Sequence, residues 1–493
     1  MKLKAQCFDF ASGNVAICFL HSKDAKDLQI ENGQRVHLQN RRFSCTAVVD
    51  ITHTHHFLKR DTLGLLEETY NLLKAKDGDV IRIRRAKKPV SISFIKKKLD
   101  GKELTDSDFY AIVKDVVSSE LSEPEIAYFI SGCYTRGLST KEIEYLTMAL
   151  SATGKVHKLD AYPLILYNSV FEEHSYPLSV LVATIVAAVG MPIPLSFSRD
   201  ESPLNPRFCL KQFRVKNSTL SDYEHILPRS NSVFTTDSEL GITPGSFILR
   251  DLEHPISVYP VGLLIAQVLA KKFSLQATHL LVDIPYGKGS KISTKEKAEF
   301  FSKELTSVGK RMKINLKTIL SDGSEPLSPG IGGALMLKDV YDVLKDSDTA
   351  SRGLIERAMD VAGEIFSMTS KSNGRKIAKE VLESGQALDK LNQLITMHGG
   401  DYKSVKDMTL ARFKYTIRST SHSIVLHHSQ KKLYTIAAAS GAPEDPSCGV
   451  YLHKEKHDRT LPGEPLITIY ANSKKRLQRA RELFEELEPI EFS

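Results

Sequence analysis

Apolar positions change their spacing along this chain, and each change marks a boundary. Up to about residue 87 they alternate with polar ones in short runs. Val15-Ala16-Ile17, Val36-His37-Leu38 and Val80-Ile81-Arg82-Ile83 are separated by turn signals at Gly13, Asn32-Gly33 and Asp77-Gly78. This predicts a small β-rich module over 1–87, closed by a Lys87-Lys88-Pro89 linker. The period then becomes helical. Phe109/Ile112/Val113/Val116, Ile126/Phe129/Ile130/Cys133 and Ile143/Leu146/Ala149/Leu150 each fall on one helix face. Each set follows a capping-box spacing, at Thr105–Asp108, Ser122–Glu125 and Ser139–Glu142, and Gly137 and Gly154 stand at C′ positions. Three short helices in a hairpin-rich bundle are expected.

From Ala161 strand, loop and helix alternate, with an apolar helical stretch at Leu178–Gly190. The segment from Leu281 to Gly333 is the most informative. Two apolar runs, Leu280–Ile284 and Ile314–Leu320, each stop at a turn before a helix. The turns are Gly287-Lys288-Gly289-Ser290-Lys291 and Asp322-Gly323-Ser324. That is the grammar of an α/β domain, whose loops at the carboxyl ends of the strands are the usual ligand sites. Residues 336–400 read as charged helices on a sheet. After Lys403 the pairs Tyr415/Ile417 and Ile424/Leu426 and the set Leu466/Thr468/Tyr470 predict antiparallel strands. A turn at Pro462-Gly463-Glu464 and a last helix, Ser473–Leu487, follow. The expected fold is multidomain α/β: a helical bundle domain plus an α/β domain, with a β-rich N-terminal module and an α+β C-terminal module.

Composition narrows the field. A chain of 493 residues holds three or four units, and 41% hydrophobic residues is ordinary for a soluble protein. The net charge of +8, from 67 basic and 59 acidic residues, is mild. The clusters Arg82–Lys88 and Lys96-Lys97-Lys98 read as solvated faces and linker, and no aromatic–basic motif accompanies them, so nucleic acid is not an expected partner. Six cysteines without CxxC spacing indicate neither a zinc site nor a disulfide framework. His53-Thr54-His55-His56 has metal-like spacing but no second ligand cluster, so no metal site is expected. His427-His428 reads as loop polarity. The opening MKLKAQCFDF lacks the apolar region of a signal peptide, and no apolar run approaches about 18 residues. A cytoplasmic protein with no membrane association is expected.

The loop pair DIP-x-G-x-G-x-K and DGS-x-P-x-x-x-GIG-x-AL resembles the pyrimidine nucleoside phosphorylases, in the longer branch that contains AMP phosphorylase and related thymidine phosphorylases. The C-terminal AAASGAPEDPSCGVYLH and PGEPLITIYANS and the opening MKLKAQCFDFASGNVAI extend the likeness over nearly the whole chain. The resemblance implies a helical base-binding domain over 90–160 plus 248–276. It also implies an α/β phosphate-binding domain over 161–247 plus 277–402 and a C-terminal module over 403–493. It implies a homodimer, no cofactor, and inorganic phosphate as co-substrate with a nucleoside or nucleotide. Where the family carries Lys-His-Ser-x-Gly-Gly, this chain has Tyr167-Asn168-Ser169-Val170-Phe171-Glu172. Only Ser169 matches; Tyr167 replaces the lysine, and Phe171 and Glu172 the glycines that admit an anion to the backbone. Ser198, Arg199 and Ser202 fall where the family holds phosphate, although a polar surface turn suits them equally. Arg250, Gln267 and Lys271 fall at base-contacting positions, Tyr259 where the family has an aspartate general acid, and Lys291 at an anion or ribose contact. Without the resemblance, Lys271 reads as a solvated helix cap, and Asp322 and Ser324 read equally as ligand contacts or as turn formers.

Two functions therefore stand side by side. One is phosphorolysis of a pyrimidine nucleoside or a nucleoside 5′-monophosphate to free base and pentose phosphate, with Lys271 and Tyr259 catalytic. The other is a catalytically impaired member that binds nucleotide or a protein partner without turnover.

Overall fold

The computed structural model describes the chain except for residues 14–15, 55, 158–162, 171, 198–219, 346–347, 349, 370 and 402–407 and the side chains of 172–174 and 220–221. The described residues form two compact units, Met1–Gly137 with Ile248–Glu253, and Leu138–Phe247 with His254–Ser493.

In the first unit the alternating segment closes on itself. Among the described residues, β1 (Lys2–Cys7), β2 (Ile17–His21), β3 (Arg35–Asn40), β4 (Phe43–Thr52), β5 (Thr62–Leu65) and β6 (Val80–Arg85) form a closed barrel in the order β1-β5-β2-β4-β3-β6. Two short helices, α1 (Ser22–Asp27) and α2 (Glu67–Leu73), bridge strands. Leu3, Ala5, Val36, Leu38, Ile81 and Ile83 point inward and build the barrel core. Closure pairs each of these strands on both sides. Three helices follow: α3 (Ser91–Leu99), α4 (Asp106–Val117) and α5 (Glu123–Arg136). The caps expected from the sequence are formed. Thr105 N–H donates to Asp108 at 3.0 Å, and Ser122 N–H donates to Glu125 at 2.8 Å. Helix α3 corrects the reading of Lys96-Lys97-Lys98 as linker. Lys97 donates to Asp108 at 2.8 Å and Lys98 is 3% exposed, because a long lysine stem lies readily along apolar surface.

The second unit opens with α6 (Thr140–Ala152), capped by Ser139. Gly154 is not the left-handed cap that its position suggested: a Cβ there would stand 2.6 Å from the Thr243 nitrogen, so close backbone approach is what excludes a side chain. The α/β segment runs β7 (Ile165–Ser169), α7 (Glu172–Ala188), β8 (Ile193–Phe197), α8 (Leu220–Ser230), β9 (Ser232–Thr236) and α9 (Asp237–Leu240). It continues through α10 (Pro244–Glu253), whose residues from Ile248 on belong to the first unit, and then α11 (Val261–Ser274), β10 (His279–Tyr286), α12 (Lys295–Arg311) and β11 (Asn315–Asp322). Among the described residues the strands pair in parallel as β11-β10-β7 and as β8-β9. Parallel pairing requires crossover connections, which the intervening helices supply. Leu280, Leu281, Val282 and Ile284 of β10 are all fully buried, as a strand covered on both faces must be. Thr294 caps α12 by accepting from the Lys297 N–H.

After β12 (Gly330–Ile331) come α13 (Gly333–Leu344), α14 (Arg352–Met368), α15 (Gly374–Glu383) and α16 (Gln386–Met397). The central α7 packs against α13, α14 and α16 and buries Leu178, Leu181, Val182 and Ile185. The C-terminal segment contains β13 (Phe413–Arg418), β14 (Ser423–His428), α17 (Gln430–Ser440), β15 (Gly449–Leu452), β16 (Arg459–Thr460), β17 (Pro465–Ala471), α18 (Lys474–Leu487) and β18 (Ile490–Phe492). β13 and β17 pair antiparallel, whereas β14 pairs with β16 and β18. β12 pairs with β15. Gly332, at φ +132°, lies so close to the Cys448 carbonyl that no side chain fits. The Gly-Ile-Gly signature is thus a junction between the α/β segment and the C-terminal strands.

Candidate functional site

Parallel strands bring their carboxyl ends to one edge, and here those ends carry polar side chains. Asp283 of β10 lies beside Ser169 of β7 and Ile319 of β11 in register. Because side chains alternate along a strand, Tyr167, Ser169, Asp283 and Ser321 share one face of the sheet. Asp283, 1% exposed, is the centre of a network. It accepts from Ser321 Oγ at 2.7 Å, from Arg357 Nη2 at 2.6 Å and, weakly, from the Tyr167 hydroxyl at 3.4 Å. Arg357 comes from α14. Ser175 Oγ donates to Ser169 Oγ at 2.8 Å. Burial pushes the Asp283 carboxyl above its ordinary range, opposed by the Arg357 guanidinium and the two hydroxyl donors. Burial, reinforced by the Asp283 charge, also holds the Tyr167 phenol well above its usual value, so it is a neutral hydrogen-bond donor.

A second polar corner lies at the ends of β8 and β9. Thr236 caps the short α9, whose first residue is Asp237. Lys271, in the last turn of α11, stands 3.0 Å from Asp237 Oδ1 and donates to the Ser196 carbonyl at 2.9 Å. Ser196 Oγ donates to the same Asp237 oxygen. Asp237 and Lys271 are 2% and 6% exposed, so this is a buried ion pair. Lys271 is therefore not the solvated cap that its place at a helix end suggests on its own. Gln267, one turn earlier on α11, is also buried.

The two loops after β10 and β11 touch. Ser290 Oγ donates to the Gly323 carbonyl at 3.0 Å. Asp322 accepts from Ser324 N–H at 2.9 Å and from Ser324 Oγ at 2.6 Å, which makes both residues turn formers. Lys291 lies over the Tyr259 ring at 5.3 Å from its centroid. Just beyond the turn, Glu325 accepts from His427 Nδ1 at 2.6 Å and from His428 N–H at 3.1 Å, and its other contact, with His428 Nδ1, is 3.0 Å. Those histidines tie β14 to the loop, so loop polarity is the wrong description of them.

Of the residues singled out in the sequence, Ser169 sits beside the Asp283 network, Gln267 and Lys271 share α11, and Tyr259 and Lys291 meet each other. Arg250 is in the last turn of α10, within the first unit. Ser198, Arg199 and Ser202 lie outside the described residues, as does His55. The sequence reading missed Asp237, Arg357 and Glu325. Asp283 stood within a recognised motif, but nothing near Arg357 distinguished it from other charged helix residues.

The fold defines a multidomain α/β protein with a helical bundle domain. Residues 92–154 match the family model described as a glycosyl transferase family helical bundle domain, and residues 429–491 the pyrimidine nucleoside phosphorylase C-terminal domain. Anthranilate phosphoribosyltransferase from Thermus thermophilus superposes with a TM-score of 0.50 over 62% of this chain and 99% of its own, at 15% identity, which is a likeness of fold alone. At the sequence level the chain is 31% identical to AMP phosphorylase 1 of Archaeoglobus fulgidus, over 100% of this chain and 98% of that protein. The AMP phosphorylase of Methanospirillum hungatei is 31% identical over 99% and 95% of the two chains, and that of Pyrococcus furiosus 28% over 100% and 98%. The chain belongs to the pyrimidine nucleoside phosphorylase family, in the branch that contains the AMP phosphorylases. No helix among the described residues is long and apolar enough to cross a membrane.

Proposed function

We propose that the chain catalyses phosphorolysis of a nucleoside 5′-monophosphate, with AMP the first substrate to test. Full-length similarity to several AMP phosphorylases supports this reading. The observation that carries it is the Asp283-centred cluster at the ends of β7, β10 and β11, where an α/β fold binds its ligand. In the reaction a phosphate oxygen forms a bond to the anomeric carbon of the pentose while the bond from that carbon to the base breaks. The electron pair leaves with the base. Positioning and charge placement supply most of the acceleration. Ser169 would offer a hydroxyl to phosphate, and Gln267 and Lys271 would contact the base. The Tyr259 phenol, with Lys291 over its ring, would donate the proton to the leaving base, a weaker acid than a carboxyl in this role.

A second reading, a member that binds nucleotide without turnover, is favoured by one observation. The Lys271 charge is matched by Asp237 within the protein, which leaves less of it for a leaving base. Incubation of the purified chain with AMP, CMP, UMP, thymidine, uridine and cytidine, each with and without inorganic phosphate, separates the two. Phosphate-dependent release of free base supports the enzyme. Nucleotide binding without base release supports the second reading.

A further inference from the structure

We infer that Arg357 holds a phosphoryl dianion at the carboxyl ends of β7 and β10, supplying the positive charge that position 167 does not. The inference rests on the phosphorolytic reading only for which phosphate is bound. Tyr167 stands where the family resemblance puts a lysine, and its phenol is neutral. The same face of the sheet nevertheless carries a cation, because Arg357 reaches it from α14, some 190 positions further along the chain. The contact described between Arg357 and Asp283 is through one guanidinium nitrogen, Nη2 to Oδ1 at 2.6 Å. The Arg357 Nε–H is buried with no acceptor among the described residues. A guanidinium has five donors in a planar fork, and a buried donor left without an acceptor is costly enough to call for an explanation. A phosphate oxygen supplies the acceptor. Asp283 then serves as the brace: its Oδ1 accepts from both Arg357 Nη2 and Ser321 Oγ, its Oδ2 faces the Tyr167 hydroxyl, and Ser169 is its own neighbour in register. Phosphate chemistry fits an arginine fork better than a lysine point charge, which explains how position 167 is free to be a tyrosine.

The test uses the full chain and the variants Arg357→Gln, Arg357→Lys and Tyr167→Lys/Arg357→Gln. Inorganic phosphate binding is measured by calorimetry, without reference to turnover. KM values for phosphate, AMP and adenosine are measured where base is released. Loss of hydrogen bonds to a charged group predicts that Arg357→Gln weakens phosphate roughly ten- to hundredfold. Arg357→Lys should fall in between, and Tyr167→Lys should restore part of the loss. A KM increase for phosphate with adenosine KM unchanged assigns the site to free phosphate. An increase for AMP, but not for adenosine or phosphate, assigns it to the nucleotide 5′-phosphate. Equal effects on all ligands with no rescue by Tyr167→Lys would mean that Arg357 is only a structural brace, and would overturn the inference. So would a wild type that binds neither free phosphate nor the AMP phosphate group. Phosphate binding without base release would leave Arg357 in place and sink the phosphorolytic reading instead.

Discussion

At the ends of β8 and β9 a lysine and an aspartate face each other at 3.0 Å, and at the end of β10 an arginine and an aspartate do so at 2.6 Å. Both carboxylates are almost wholly buried. The pairs nevertheless differ in what they leave over. Lys271 is a point charge placed on Asp237 and on the Ser196 carbonyl, and Ser196 Oγ joins the same carboxylate. Arg357 places one nitrogen on Asp283 and keeps a buried donor without an acceptor among the described residues. The first corner is closed on itself, and the second, on the inference above, is the one that takes an anion. The difference follows from side-chain geometry: a planar fork satisfies one carboxylate with part of its donors, and an ammonium held by two acceptors has far less to offer.

The largest effect should come from breaking the closed pair. Lys271→Met leaves Asp237 buried without its cation and is expected to cost about 3–5 kcal/mol, whereas Asp237→Asn/Lys271→Met should recover most of it. Denaturant midpoints of the two variants measure this. A double variant as unstable as the single one would show that the pair is not a closed electrostatic unit.

Asp339 sharpens the comparison, because it is a buried carboxylate held by neutral donors. It accepts from the Gly330 N–H at 2.7 Å and from Ser328 Oγ, while the adjacent Lys338 donates to Asp342. Burial pushes it up to about 6 from an ordinary 3.8. A folded-state value above the unfolded one means stability that is fully present below the ordinary value and is lost as pH rises through about 6. The loss at neutral pH is about 3 kcal/mol. Stability measured from pH 4 to 7 should fall accordingly, and Asp339→Asn should flatten that slope. An unchanged slope in the variant would assign it to another group.

Within the second corner the effects should be graded by geometry. Ser321→Ala removes a 2.7 Å bond to a buried carboxylate and should cost about 1.5–3 kcal/mol. Tyr167→Phe removes only a 3.4 Å contact and should cost less than about 1 kcal/mol. The reverse order would make Tyr167, rather than Arg357 and Ser321, the main support of Asp283.

The elements that depend on local rules were the ones legible in the sequence. The Thr105, Ser122 and Ser139 caps and the runs that became β10 and β11 are examples, since capping and alternation involve residues a few positions apart. The loop motifs pointed to the strand ends for the same reason. Closure of the barrel, the pairing of β14 with β18 and the junction at Gly332 depend on partners far away in the chain. So do the two ion pairs: Asp237 and Lys271 are 34 positions apart and Asp283 and Arg357 are 74 apart, and neither spacing has a periodicity to read. The altered loop at Tyr167 looked like a lost positive charge because only the local chain was visible. The fold brings another cation to the same sheet face.

The most direct test of the central claim is isotopic. The chain is incubated with AMP and labelled inorganic phosphate, and free base and labelled pentose phosphate are counted together. Phosphorolysis requires one labelled pentose phosphate for each base released, and no release when phosphate is withheld. Base released without label in the pentose product, or no base released from any nucleotide or nucleoside at saturating phosphate, would contradict it.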